Sequence, residues 1–351
     1  MKYSDSQKYL KIWIDILTPK QLLFSEPIIE KLGAKHELLC TSREYEEVSK
    51  LSKIRHFDLI FVGKHGGGNK KTKLDASIER INKLSKKIEK FKPDLVISFG
   101  SPEASRISFG LGIKHIMFCD SPHANAVMRL TLPLIQKLLI PYIIPKKEFS
   151  KYGISEKNIV QYKAIDAVVT MKREINEKIA SPFKNNNKKN ILIRLEEEEA
   201  SYTSKSSKII PIIQKITKDY KNENVVVLGR YTKQINNLQK IIGNKVKIVK
   251  MSFDGKFLLN KTDIFIGSGG TMTAESALMG IPTISYNAVP NIVEKFLVRK
   301  HLVKRGTSPN KVSNHIKKIV KIKNDQNQKR AKKFVKEMEA PIENLIKIII
   351  N

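Results

Sequence analysis

Apolar and polar positions along this chain switch repeatedly between two periods. Short apolar runs, fit for buried strands, alternate with stretches whose apolar residues recur every three or four positions, fit for amphipathic helices. The first half has such runs at residues 12–17, 37–41, 59–62, 95–98 and 113–118. Helical patterns fill the gaps at 18–32 and 44–51, from about Lys73 to Phe91, and after Ser101-Pro102. In the third of these, Ile78, Ile81, Leu84, Ile88 and Phe91 keep helical spacing, and Pro102 suits a first helical turn. A polar stretch, Asn185-Asn-Asn-Lys-Lys189, reads as a linker or loop. The pattern then resumes, with strand runs at 190–194, 225–228 and 246–249 and helical stretches at 209–220 and 234–242. An apolar helix is expected at 341–350. Strands alternating with helices predict parallel sheets covered on both faces. The expected division is a first domain over 9–165, a second over 186–325, and terminal helices over 326–351 that return to the first.

One segment is more informative than the rest. Asp263-Ile-Phe-Ile-Gly-Ser-Gly-Gly-Thr-Met-Thr-Ala-Glu275-Ser-Ala-Leu-Met-Gly-Ile-Pro-Thr-Ile-Ser285 reads as strand, glycine turn, helix, tight turn, strand. Gly267, Gly269 and Gly270 remove side chains where a parallel strand reaches the carboxyl edge of its sheet, and Thr271 or Thr273 is expected to cap the helix. Free N–H groups and the positive end of a helix dipole at such a turn suit a phosphate. Glu275, one turn further on, suits the paired hydroxyls of a ribose. That role predicts a loss of ligand affinity, and little loss of stability, when Glu275 is replaced. The plain alternative is a glycine turn that serves strand-to-helix geometry alone. Neither the dinucleotide GxGxxG pattern nor a P-loop matches, since no Lys follows the glycines.

Composition narrows the class. The 351 residues suffice for two domains. Cys40 and Cys119 are the only cysteines, so no disulfide framework is implied and a reducing cytoplasm is expected. The start of the chain has no apolar core of a signal peptide. The apolar region 130–145 is too short and too interrupted by Lys137, Pro133 and Pro141 to span a bilayer. The net charge of +31 permits anionic partners. The lysines are spread through all segments, which favours solvated faces, and no nucleic-acid motif is present, so no specific nucleic acid is expected. The basic stretch 311–336, with the apolar stretch 130–142, offers a peripheral contact with an anionic membrane surface.

Candidate catalytic groups lie at the carboxyl ends of the predicted strands of the first domain, where doubly wound sheets place ligands. They are Asp15, His65, Glu103, Asp120 and His123. Asp120 or His123 suits a general base, with Lys64 or Arg194 helping on phosphate. Arg230, after a strand of the second domain, is a further phosphate partner, because a guanidinium binds phosphate oxygens in pairs. Each has a plain rival. Asp15 can satisfy loop backbone, Asp120 can cap the turn at Ser121-Pro122, and His65 can be a loop residue. The acid run Glu196 to Glu199 reads as a solvated loop. No DxD pair and no His/Cys cluster supports a metal, and no cofactor is expected.

The chain resembles an archaeal family of unknown function, GT-B-like, whose members are often described as candidate glycosyltransferases. The segments that carry the likeness are Trp13-Ile-Asp-Ile-Leu-Thr-Pro-Lys-Gln21, Val62-Gly-Lys-His-Gly-Gly-Gly68, Ser101-Pro-Glu-Ala104, Asp120-Ser-Pro-His123, Arg129-Leu-Thr-Leu-Pro133 and Gly267 to Pro282. Within the last, Ser268-Gly-Gly-Thr-Met-Thr-Ala-Glu275 is similar to the donor-site motif of the peptidoglycan N-acetylglucosaminyltransferase, in which the matching Glu holds the ribose of a UDP-sugar. UDP-N-acetylglucosamine 2-epimerases have a related motif with shorter spacing. The chain departs from the transferase after its first strand, where Thr18-Pro-Lys-Gln21 replaces a glycine-rich, His-containing loop. The resemblance implies an α/β, GT-B-like fold of two Rossmann-like doubly wound domains facing a cleft, with the acceptor on the first domain and a nucleotide-diphosphate sugar on the second. It implies Ser268, Gly269, Gly270, Thr271 and Glu275 as substrate-binding residues and transfer of the sugar to an unknown acceptor. The alternatives are a sugar-nucleotide 2-epimerase and a non-catalytic nucleotide-sugar or nucleic-acid binding protein.

Overall fold

The computed structural model describes residues 9–175, 180–196, 209–250, 254–288, 290–321 and 325–350. It divides into two compact units. The first holds the chain up to Val169 together with the residues from Glu339 on, and the second runs from Thr170 to Met338.

In the first unit the strands are β1 (Lys11–Ile16), β2 (Glu37–Glu44), β3 (Ile60–Lys64), β4 (Leu95–Ser98), β5 (Lys114–Phe118), β6 (Lys137–Pro141) and β7 (Ile159–Tyr162). They form one parallel sheet in the order β3-β2-β1-β4-β5-β6-β7. In the second unit the strands are β8 (Asn190–Arg194), β9 (Asn224–Gly229), β10 (Lys247–Lys250), β11 (Ile264–Gly267), β12 (Thr283–Ser285) and β13 (Val303–Arg305). Their parallel sheet has the order β10-β9-β8-β11-β12-β13. Each sheet reverses its winding once, between β1 and β4 in the first and between β8 and β11 in the second. Helices leaving the two strands on either side of that point cover opposite faces, so a crevice opens at the carboxyl ends of these strands.

Side chains alternate across both faces of the second sheet, and both faces are buried. Ile191, Ile193, Ile264 and Ile266 join one core with Ile212, Ile213 and Ile216 of the helix Ile209–Asp219. Leu192, Val226, Leu228 and Phe265 join the other with Phe257 and Leu258. Trp13, Leu84, Ile88, Val96 and Ile107 do the same for one face of the first sheet. Strands buried on both sides read as unbroken apolar runs, and for that reason they stand out in the sequence.

The apolar stretch 130–142 contains β6, whose Leu138, Leu139 and Ile140 are fully buried, while Leu130, Pro133 and Tyr142 are exposed. Among the described residues no helix is long and apolar enough to cross a membrane. The basic stretch 311–336 forms parts of the helices Pro309–Lys321 and Asp325–Lys336, which bury Val312, Ile316 and Ala331. Lys323 of that stretch lies outside the described residues, as do 197–199 of the acid run.

Candidate nucleotide site

The loop after β11 sits at the crevice point of the second sheet. Its three glycines have three different reasons. A Cβ on Gly267 would lie 2.5 Å from Thr273 Oγ1 and 2.6 Å from the Phe265 ring, so this glycine lets the helix close onto its own strand. Gly269 has φ +101°, which disfavours any side chain, and it is buried with its carbonyl accepting from Asn291 Nδ2 at 3.0 Å. Gly270 is exposed, and a Cβ there would meet only Ser268 Oγ at 3.9 Å. Open space therefore lies beside the backbone where the helix Thr271–Leu278 begins.

The capping expectation is corrected at this point. Gly270 is the N-cap and no side chain caps the helix. Thr273 instead accepts from the Gly269 N–H at 3.2 Å, which holds the loop rather than the helix end. An N-terminus without a side-chain cap leaves its first N–H groups to water or to a ligand. Ser268 and Thr271 are half-buried and flank this opening.

Glu275 lies inward of the loop and is 2 % exposed. Its Oε1 accepts from Arg173 Nη1 at 3.1 Å. Arg173 Nε also donates to both oxygens of Asp254, at 3.1 and 3.0 Å, and its Nη1 reaches the Thr170 carbonyl. Asp254 in turn caps the helix Gly255–Asn260 through the Lys256 N–H. Burial disfavours the charge on Arg173, and Glu275 and Asp254 outweigh it, so the guanidinium is held more firmly protonated than usual. Arg173 and Asp254 are neighbours of Glu275 that the sequence pattern does not mark. The structure thus changes one expectation: Glu275 carries stability as well as any ligand contact.

Arg194 and Arg230 follow β8 and β9. Arg194 is buried, with Nη1 donating to the Gly229 carbonyl at 2.8 Å, while its own carbonyl accepts from Tyr286 Oη at 3.1 Å. Gln234 links the segments after the two strands, accepting from the Arg230 N–H at 3.2 Å and donating to the Glu196 carbonyl at 3.0 Å. Burial and the neighbouring Glu196 push the Tyr286 phenol well above its ordinary range, so it stays neutral. Arg194 thus braces the strand ends, and the half-buried Arg230 is the more open of the two arginines. On the other side of the loop, Glu294 is fully buried against Arg305 and would lie 3.2 Å from a Cβ on Gly269.

In the first unit the structure separates the candidates. Asp15 is 1 % exposed, and both oxygens are filled: Oδ1 accepts from Thr41 and Arg80 Nη2 at 2.6 Å each, and Oδ2 from Ser101 at 2.6 Å and Arg80 Nη1 at 3.1 Å. Burial alone would raise its pKa, and Arg80, Ser101 and Thr41 together bring it below the ordinary carboxylate value. This enclosed carboxylate fits an anchor of the strand ends, which replaces the catalytic expectation for Asp15. Glu103 is buried beside the same Arg80 and accepts from Ser77 at 2.8 Å. Lys64 and His65 lie at the end of edge strand β3, Lys64 exposed and His65 stacked on Tyr45 with centroids 4.9 Å apart. His65 Nδ1 accepts from the Gly67 N–H at 3.1 Å. Three strands stand between β3 and β5, so these two residues do not join Asp120 and His123. Asp120 follows β5 and pairs with Lys20 at 2.5 Å, and His123 is half-buried nearby. Burial, with Lys20 adding to it and Asp120 opposing, holds the His123 ring below its ordinary value and neutral near pH 7.

A family model described as "Protein of unknown function (DUF354)" matches residues 10–351. The chain belongs to the DUF354 family. A relative, the uncharacterized protein MJ0665 of Methanocaldococcus jannaschii, is 30 % identical over 97 % of this chain and 98 % of its own length. Among solved structures, the DUF354 chain is similar to a UDP-GlcNAc 2-epimerase from Neisseria meningitidis bound to UDP-GlcNAc, with TM-score 0.75 and 18 % identity over 97 % of this chain and 98 % of that one. It is also similar to the spinosyn rhamnosyltransferase SpnG complexed with thymidine diphosphate, with TM-score 0.59 and 13 % identity over 96 % and 99 % of the two chains. The fold is α/β and GT-B-like, shared with both epimerases and glycosyltransferases.

Proposed function

We propose that this protein binds a nucleotide-diphosphate sugar, with a uridine nucleotide, at the carboxyl edge of the second sheet and transfers the sugar to an acceptor. The observation that carries the reading is the opening at Gly270: an exposed glycine at an N-terminus without a side-chain cap, set at the crevice point of a doubly wound sheet. The neighbours named above support the ligand class, since one holds UDP-GlcNAc and the other thymidine diphosphate. In this reading the first-turn N–H groups and Ser268 and Thr271 receive the diphosphate, Arg230 adds charge beside it, and Glu275 offers the oxygen not bound to Arg173 to the ribose hydroxyls.

The glycines give a test in which folding and binding separate. Gly270→Val is expected to fold normally, because its φ of −85° suits any residue and the space is open, and to lose the ligand. Gly269→Ala is expected to destabilise the fold by about 1 kcal/mol or more, because φ there is +101°. Isothermal titration with UDP-sugars and denaturant unfolding measure the two effects. A folded Gly270→Val protein with unchanged affinity contradicts the phosphate assignment.

Glu275→Ala is expected to weaken a nucleotide-sugar by about 1.5–3 kcal/mol, the range for hydrogen bonds to a charged group. Stability should also fall, by roughly 1–3 kcal/mol, because a buried charge-assisted bond to Arg173 is lost. Lower stability with unchanged affinity would give Glu275 a structural role alone.

A further inference from the structure

A second charged cluster lies at the carboxyl edge of the first sheet. Lys20, in the first turn of the helix Pro19–Gly33, places Nζ 2.5 Å from Asp120 and 2.8 Å from Asp166. Asp120 follows β5, Asp166 follows β7 and Lys20 follows β1, so three separate crossings of the sheet deliver one site. Tyr162, the last residue of β7, donates its hydroxyl to Asp166 Oδ1, and Ser121 donates to Asp120 Oδ1 at 2.8 Å. The ammonium also rests 4.4 Å from the centroid of the Phe99 ring. Exposure distinguishes the two acids: the side chain of Asp120 is 17 % exposed and that of Asp166 is 2 %. A ligand can therefore touch Asp120, while Asp166 stands behind it.

One lysine with two carboxylates leaves one excess negative charge. Away from water that excess is costly, and a single added proton removes it. Two acids bridged in this way titrate as a pair. We propose that Asp120 and Asp166, bridged by Lys20, form one proton acceptor for the acceptor hydroxyl, with Asp120 touching that hydroxyl and Asp166 a positioning residue that sets the pair's proton affinity. The proposal rests on the sugar-transfer reading above. In the step, the acceptor O–H bond breaks and its proton passes to the carboxylate pair. The oxygen's electron pair forms the bond to the anomeric carbon, and the bond from that carbon to the diphosphate breaks with its electrons leaving on the diphosphate.

The surrounding groups agree with this assignment. Burial, with the charge of Asp120 adding and Lys20 opposing, pushes Asp166 up to about 6. Burial works against the charge on Asp120 too, but Lys20 and the hydrogen bonds outweigh it and hold Asp120 below its ordinary value. Cys119 is pushed up to about 12 by burial, Tyr162 is raised well above its ordinary range, and His123 is lowered, so all three face the pair uncharged near neutral pH. Lys20 stays cationic, since the two carboxylates outweigh its burial. The pair itself is what changes charge between pH 5 and 7.

The test is carbon-13 NMR of aspartate-labelled full-length protein, titrated from acid to neutral pH, with Asp166→Asn and Asp120→Asn assigning the signals. The expected wild-type result is two carboxyl signals that shift together, with a step near pH 6. In Asp166→Asn that step should vanish from Asp120, whose titration should fall by about one pH unit or more, a tenfold change in proton affinity. A step near pH 6 that survives in Asp166→Asn, or two carboxyls that titrate independently in the wild type, overturns the proposal. Tyr162→Phe gives a milder variant. It removes one hydrogen bond to the Asp166 carboxylate and should move the shared step upward, and an unmoved step counts against the pair. UDP-sugar titration of the same samples separates the two readings: ligand binding without the shared step defeats this proposal alone, and the shared step without ligand binding defeats the proposed function.

Discussion

Arg173→Met should destabilise the second unit by about 3–5 kcal/mol, the cost of removing one partner from a buried ion pair. The guanidinium stands between Asp254, with no exposure, and Glu275, at 2 %, and supplies the counter-charge to both. Without it two carboxylates remain buried beside each other with no counter-charge. Methionine keeps the apolar volume, so the loss reports charge rather than packing. Urea unfolding followed by circular dichroism measures it as a lower midpoint at constant slope. Adding Asp254→Asn and Glu275→Gln to Arg173→Met should recover part of the loss, because the stranded charges go with the cation. A single-variant loss under about 1 kcal/mol, the size expected of an exposed pair, contradicts the burial argument.

Arg80→Met should cost a similar amount, about 3–5 kcal/mol, in the first unit. Arg80 and Asp15 are each 1 % exposed and are joined by two hydrogen bonds. The chain of contacts runs on through Thr41 to Trp13 Nε1, 2.7 Å from Thr41 Oγ1, and Trp13 is the one tryptophan of the protein. Its fluorescence therefore reports this cluster directly. The pH dependence follows from the lowered value of Asp15. In the acid range the unfolded chain binds a proton that the folded protein refuses, so stability rises with pH there. The Asp15 contribution is complete above the ordinary value of 3.8 and is lost as pH falls through the lower folded value. Acid unfolding of Asp15→Asn, followed through Trp13, should be less steep below about pH 4 than that of the wild type. Equal steepness in the two proteins contradicts the pairing.

The parts of the fold legible in the sequence are those whose chemistry is local. β11, its glycine loop and its helix appear as an apolar run, three glycines and a closing Gly280-Ile281-Pro282, and each signal acts on its own residues. β6 is hidden because Lys137 and Pro141 bracket its three central apolar residues inside a longer apolar region. β7 and β13 are short and partly polar, so neither period shows. The ends of the second domain follow contacts rather than composition. Glu339 exchanges hydrogen bonds with Lys163, through the Glu339 N–H to the Lys163 carbonyl and the Lys163 N–H to Glu339 Oε2, each 3.0 Å, and so joins the first unit.

The sites divide the same way. Asp120 and Glu275 are visible because each follows a strand within a recognisable local motif. Their partners are not, since Lys20 meets Asp166 across 146 positions and Arg173 meets Glu275 across 102. The one available signal for Lys20 is its place directly after the first strand and its threonine-proline cap. Asp15 shows the opposite case. Its position at a strand end suggests chemistry, yet four hydrogen bonds enclose it, and only the positions of Thr41, Arg80 and Ser101 in space reveal that.

The central claim is that the opening at Gly270 receives the diphosphate of a nucleotide-sugar. Titration calorimetry of the wild type and of Gly270→Val with UDP and UDP-sugars tests it most directly. Saturable one-to-one binding to the wild type, abolished in a Gly270→Val protein that unfolds at the same urea concentration, is the predicted result. No binding to the wild type, or equal binding to both, would contradict it.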